Sequence, residues 1–296
     1  MPEPVRARQV LSGAAIRRLR TKIIDSYHVH TQNQAFRFIQ DMGYCYAFTP
    51  GRGGLPSLFE VLDTRSDDRR WTWAWDWKEA LPSEKRVFYG RVLRGKPTFI
   101  SMEFVPHFFA LTGNVGEPDD YRRLYEGGRL SHLARVVYEL VAARGPLTTR
   151  QIRAAVEPNR RGSSARLLRA LADLQNLFLL ARIGETGDHP GNYAYIWDRF
   201  DRWLPGMVAR AAGISHRTAA ATVLGQYVSI AGAPRPEDAA SLFEWPPSVL
   251  SAAIGDLRGR GSLVLAPGPD GKDRLVSPAA LLRLTAGKAR PRSHRD

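Results

Sequence analysis

LARVVYELVAARGPLTTRQIRAAVEPNRRGSSARLLRALADLQNLFLLARIGETGDHPGNYAYIW, residues 133–197, is the stretch whose reading decides the fold. Leu133, Val136, Val137, Leu140 and Val141 recur at helical spacing up to Arg144-Gly145-Pro146. Thr148 or Thr149 can cap a short second helix, Arg150 to Val156. A third helix is expected from about Ser163 to Leu177, with Leu167, Leu168, Leu171, Leu174 and Leu177 inward. Two strand-like runs, Phe178 to Arg182 and Tyr193 to Trp197, then flank a turn-rich segment, residues 184–191. Three helices followed by a hairpin is the order of a winged helix.

The same order recurs downstream. Helical patterns run over His216 to Ile230, Pro236 to Phe243 and Pro247 to Arg258, followed by Leu263 to Ala266 and Arg274 to Val276. Upstream, Ala14 to Ile24 reads as a helix, and a second follows a Thr31 cap until Gly43 ends it. Tyr44 to Phe48 reads as a strand, Ser83 to Leu93 as a basic, aromatic helix and Thr98 to Leu111 as an apolar stretch. The expectation is a mainly α chain with short β-hairpins (α+β), a tandem winged-helix array with blocks at 11–127, 128–211 and 212–284. The flanks, 1–10 and 285–296, are basic and weakly apolar and are expected to be disordered.

Charge narrows the partners. Forty-three Lys+Arg against 29 Asp+Glu give a formal net charge of +14, a field that draws polyanions, and duplex DNA is the partner it favours. Cys45 is the sole cysteine, which excludes an intrachain disulfide and a cysteine-rich zinc site and fits a cytoplasmic protein. No apolar run reaches the length of a membrane span or a secretory signal. No cofactor and no metal are expected, and the expected acting form is a monomer at the nucleoid.

The DNA-facing candidates cluster at the start of the third helix of the middle block. Arg160, Arg161, Ser163, Ser164, Arg166 and Arg169 combine cations, hydroxyls and free helix N–H groups, all phosphate ligands, with Arg150 before them and His189 in the following turn. The plain alternative is a solvated helix start with a serine cap. Trp71, Trp73, Trp75 and Trp77 fall on one face if extended, as a core face or with one indole stacking a base. His28 and His30 lack further local ligands for a metal, and 51–54 is a glycine-rich turn without the lysine of a phosphate loop. Glu103 and His107 meet at i and i+4 if their segment is helical, and then either position a water or form an ion pair.

With these features the chain resembles the AlkZ/YcaQ DNA glycosylases, over roughly Ile16 to Val276. Met102-Glu103-Phe104-Val105-Pro106-His107 is similar to a Phe-Glu-Tyr-Trp-x-His stretch of that family, and Tyr195 to Pro205 to the segment closing its second winged helix. The resemblance implies tandem winged helices and action on alkylated or crosslinked bases in duplex DNA. It also implies a Gln-x-Gln or Gln-x-Asp catalytic motif after a Leu-Gly frame. Here Met42-Gly43-Tyr44-Cys45-Tyr46-Ala47-Phe48 matches the frame, and Tyr46 and Phe48 occupy the two catalytic positions. Neither side chain can polarise a water as an amide or carboxylate does. Three readings follow: a DNA-binding relative without that chemistry, a glycosylase using Glu103, His107 or Asp41 instead, or a winged-helix regulator of transcription.

Overall fold

The computed structural model describes residues 10–48, 54–159, 164–187 and 193–286. Helix α1 (Gly13–Asp25) starts where Ser12 accepts a bond from the Ala15 amide, and α2 (Gln32–Met42) starts at a reciprocal Thr31–Gln34 capping box. Gly43, at φ +72°, stops α2 and turns the chain into β1 (Tyr44–Tyr46). Then come α3 (Leu58–Val61), α4 (Asp67–Ser83), β2 (Val87–Leu93), β3 (Lys96–Ser101), α5 (Val105–Ala110) and α6 (Asp120–Glu126). The strands form an antiparallel sheet in the order β1-β3-β2, with Tyr44 opposite Ile100 and Val87 opposite Ser101.

Three expectations are corrected in this region. The tryptophan run is helical: Ser66 caps α4, and Asp67 and Asp68 in its first turn complement the helix dipole. Residues two apart on a helix diverge by about 200°, so the indoles split between faces. Trp71 and Trp75 stay about half-exposed, while Trp77 is buried with Trp73 stacked on it at 5.4 Å. Ser83 to Leu93 is not a helix: α4 ends at Ser83, and Val87 to Gly90 form a continuous buried run paired to β3. Arg94 and Gly95, both at positive φ, make the two-residue turn into β3. Ser101 to Leu111 is helical only from Val105, because Ser101 closes β3 and Pro106 fits the first turn of α5.

The middle stretch runs α7 (His132–Arg144), β4 (Leu147–Thr148), α8 (Thr149–Val156), α9 (Ala165–Asn176), β5 (Leu180–Thr186) and β6 (Ala194–Arg199). Thr148 caps α8 in a box with Gln151, and Ser164 caps α9. The sheet order is β4-β6-β5, so the short strand β4, which the sequence pattern does not announce, closes it through Leu147 opposite Trp197. Leu167, Leu171 and Leu174 are buried as expected, but Leu168 is 53% exposed. It stands a further 100° round the helix from Leu167.

After α10 (Phe200–Trp203) and α11 (Pro205–Ala211) come α12 (His216–Ile230), α13 (Pro236–Phe243), α14 (Pro247–Gly259), β7 (Val264–Pro267), β8 (Asp273–Val276) and α15 (Pro278–Ala286). Helix α15 reaches beyond residue 285, where the C-terminal flank was expected to begin. The chain is therefore mainly helical, with small antiparallel sheets. The core distribution is less local than the element order. Phe38, Tyr44, Phe88 and Phe99 share one core with Val223, Leu224, Tyr227 and Phe243, whereas Val137, Leu171, Leu174 and Trp197 form a second with Tyr121 of α6. The buried Tyr44 hydroxyl donates to the Val223 carbonyl oxygen at 2.7 Å and joins β1 to α12. Among the described residues, no helix is long and apolar enough to cross a membrane.

Candidate functional site

The turn after α2 is built to close tolerances. A Cβ on Gly43 would stand 2.7 Å from the Phe104 ring and 3.2 Å from Gln226 Cγ. Gln226 Nε2 donates to the Asp41 and Met42 carbonyl oxygens at 3.0 and 2.9 Å, which satisfies the end of α2. Beyond the turn, Tyr46 is buried, and burial pushes its phenol above the ordinary value. Phe48 stacks on Trp71 at 5.7 Å and 25°, and Phe59 meets the same indole at 4.7 Å. The two positions the resemblance assigns to a catalytic amide pair thus carry a buried phenol and one ring of an aromatic stack.

Asp41, Glu103 and His107 lie around this turn. Asp41, exposed at the end of α2, accepts from the Tyr27 hydroxyl at 3.1 Å. Glu103 is exposed in the turn before α5, so it does not share a helical face with His107 as the i, i+4 reading required. Among the described residues no ion pair joins them. His107 is half-buried with Nδ1 lacking a hydrogen-bond partner. Burial pulls its pKa down, Glu103 opposes that pull and Arg210 adds to it.

Of the proposed DNA face, Arg160, Arg161, Ser163 and His189 lie outside the described residues, as does most of the 51–54 turn. Ser164 is buried, its hydroxyl spent on the Leu167 amide, so it acts as the cap of the plain alternative. Arg166 and Arg169 are exposed on α9, and Arg150 is exposed in the first turn of α8. Arg166 and Arg169 line an open cleft of about 500 Å³ with His132, Val136, Glu157 and Asp173. His28 and His30 both face Asp63, at 3.2 and 3.4 Å, and among the described residues no group of side chains could hold a metal ion.

A titratable cluster that sequence reasoning missed joins α4 to β5 and to the start of β6. Lys78 is 2% exposed, with Nζ 3.4 Å from the centroid of the Trp75 ring and in contact with the Glu79 carboxylate. Arg182 holds the other Glu79 oxygen at 2.7 Å and donates to the Lys78 carbonyl oxygen at 3.0 Å. Tyr193 donates its hydroxyl to Glu79 at 2.7 Å, and the Arg182 guanidinium lies over the Tyr89 and Tyr195 rings at 4.5 and 4.2 Å. Two buried cations share one carboxylate. Burial, with Arg182 beside it, pulls the Lys78 amine down to about 7. The helical state of 71–77 was the missing signal, because only a helix carries Lys78 beside Trp75.

No curated protein matches the sequence. The solved structure of the Streptomyces sahachiroi DNA glycosylase AlkZ is similar in fold, with a TM-score of 0.57 and 14% identity over 94% of this chain and 73% of that one. A sequence profile described as AlkZ related matches residues 29–244. The match takes in the Met42–Phe48 turn, the Glu103–His107 stretch and the Lys78 cluster together, and the chain belongs to the AlkZ-related family.

Proposed function

We propose that this chain is a cytoplasmic DNA-repair protein that binds duplex DNA through winged-helix units and lacks the water-activating pair of the Gln-x-Gln enzymes. The observation that carries the reading is the filling of the motif: Tyr46 is buried, and Phe48 is stacked on Trp71. Neither leaves an amide or carboxylate free to hold a water against an anomeric carbon. The winged-helix reading is supported by the order of helices, strands and sheet partners over 132–199 and by the three helices and hairpin over 216–276. DNA as partner is supported by the +14 charge and by Arg166 and Arg169 at the start of α9, the counterpart of a recognition helix.

The test is anisotropy of a labelled duplex over a salt series. Tight, salt-sensitive binding with little sequence preference is expected. Reversing Arg166 and Arg169 to glutamate should weaken it about tenfold or more and flatten the salt slope by roughly one for each phosphate no longer neutralised. Unchanged affinity at low salt would remove α9 from the interface. A second reading, hydrolysis from a relocated site, draws on the unpartnered His107 Nδ1. It requires alkali-labile sites in alkylated duplex with wild-type protein and their loss in Glu103→Gln.

A further inference from the structure

Neither the duplex-binding reading nor the motif turn draws on the Lys78 cluster, which holds a chemically versatile group sealed inside the fold. Only six of the chain's 43 basic residues are lysine. Arginine serves as the cation nearly everywhere else, and it is the residue suited to a permanent buried ion pair. Lysine differs in that it can give up its proton and become a nucleophile. Here Glu79 already has a full partner in Arg182, so a neutral Lys78 leaves the carboxylate compensated. The Trp75 ring, itself 48% exposed, lies directly on the amine, and the Tyr193 and Tyr195 rings stand 6.0 Å from it. An incoming group therefore reaches Nζ only when Trp75 turns away from its contact with Tyr193.

We propose that Lys78 is an imine-forming nucleophile for an aldehyde carried on a nucleic-acid sugar, the open-chain form of an abasic site. The assignment rests on the DNA-repair reading above for the identity of its substrate. The ammonium proton passes to solvent while Glu79 stays paired with Arg182. The freed lone pair adds to C1′, and the aldehyde oxygen leaves as water. The resulting iminium acidifies the C2′ proton. Loss of that proton expels the 3′-phosphate, and water returning to C1′ frees the amine. The sequence is redox-neutral and draws only on solvent water. Lys78 drops to about 7 through burial and Arg182, which leaves a large neutral fraction at physiological pH. Around the amine, Trp75 and Tyr193 carry ring faces on which a base can stack once Trp75 turns, and Arg182 a cation. The class of reaction that would supply this substrate is base excision, and the product is a strand nicked on the 3′ side of the sugar, which stays attached as an unsaturated aldehyde.

The test is reductive trapping. Full-length protein is incubated with sodium cyanoborohydride and a duplex carrying one abasic site, and the adduct is mapped by peptide mass. A covalent adduct at Lys78, reduced at least tenfold in Lys78→Met with melting temperature and duplex affinity retained, is the expected result. No adduct despite binding, an adduct confined to the N-terminal amine or another lysine, or an adduct undiminished in Lys78→Met overturns the assignment. If the duplex is not bound at all, the DNA reading fails by itself. The same trapping with 2-deoxyribose 5-phosphate, a soluble aldehyde sugar, then decides: modification of Lys78 supports the nucleophile, and its absence overturns it.

Discussion

Replacing Lys78 by methionine should abolish a specific rise of stability with pH. Methionine keeps an unbranched apolar stem of similar length against Trp75 and leaves the Glu79–Arg182 pair intact. In the wild type the folded amine titrates at about 7 and the unfolded one near 10.5. Between those values the unfolded chain holds one more proton, so unfolding becomes harder as pH rises through that window. The ceiling is about 1.4 kcal/mol per pH unit, or about 2 kcal/mol between pH 7.5 and 9. The Glu79 contact works against deprotonation, which brings the expectation nearer 1 kcal/mol. With a urea slope of about 2–3 kcal/mol per molar, the wild-type midpoint should gain roughly 0.4 M on the Lys78→Met midpoint over that range. The assay is urea unfolding of both proteins, followed by far-ultraviolet circular dichroism at each pH. Taking the difference cancels every other titrating group. A difference that stays flat with pH would refute the depressed amine.

Other substitutions probe the frame around the site. Gly43→Ala puts a methyl group against the Phe104 ring at a positive φ and should cost about 2–3 kcal/mol in denaturant unfolding. Tyr44→Phe deletes the buried hydroxyl that adds a second bond to the helical Val223 carbonyl, at about 1 kcal/mol by the same assay. Ser164→Ala removes the cap of α9, with an expected loss near 1 kcal/mol in thermal unfolding.

Much of the local structure is legible in the sequence because its signals are covalently close. Ser and Thr caps at 31, 148 and 164, and the glycine at 43, announce their helix ends within four residues. The errors fall where two periods compete. The Trp71–Trp77 alternation mimics a strand, and the cap at Ser66 with its two aspartates outweighs it. The run after Ser83 carries helix-compatible residues, yet its strand state is set by pairing with β3. The candidate site shows the same division. The frame around Gly43, with Tyr46 and Phe48 in it, can be read directly, whereas the Lys78 cluster joins residues 104 apart and becomes visible only in three dimensions.

The bond from Tyr44 to Val223 also has a consequence for how the chain is made. It spans 179 residues, and the apolar side of α2 and β1 shares its core with α12. At about 5–20 residues per second, the ribosome delivers α12 roughly 10–40 s after β1. During that interval Phe38, Tyr44 and Phe99 lack part of their packing, while the middle core, contained within residues 121–197, can already close. Nascent chains should therefore bind holdase chaperones through their amino-terminal third, and release should wait until residue 243 has left the exit tunnel.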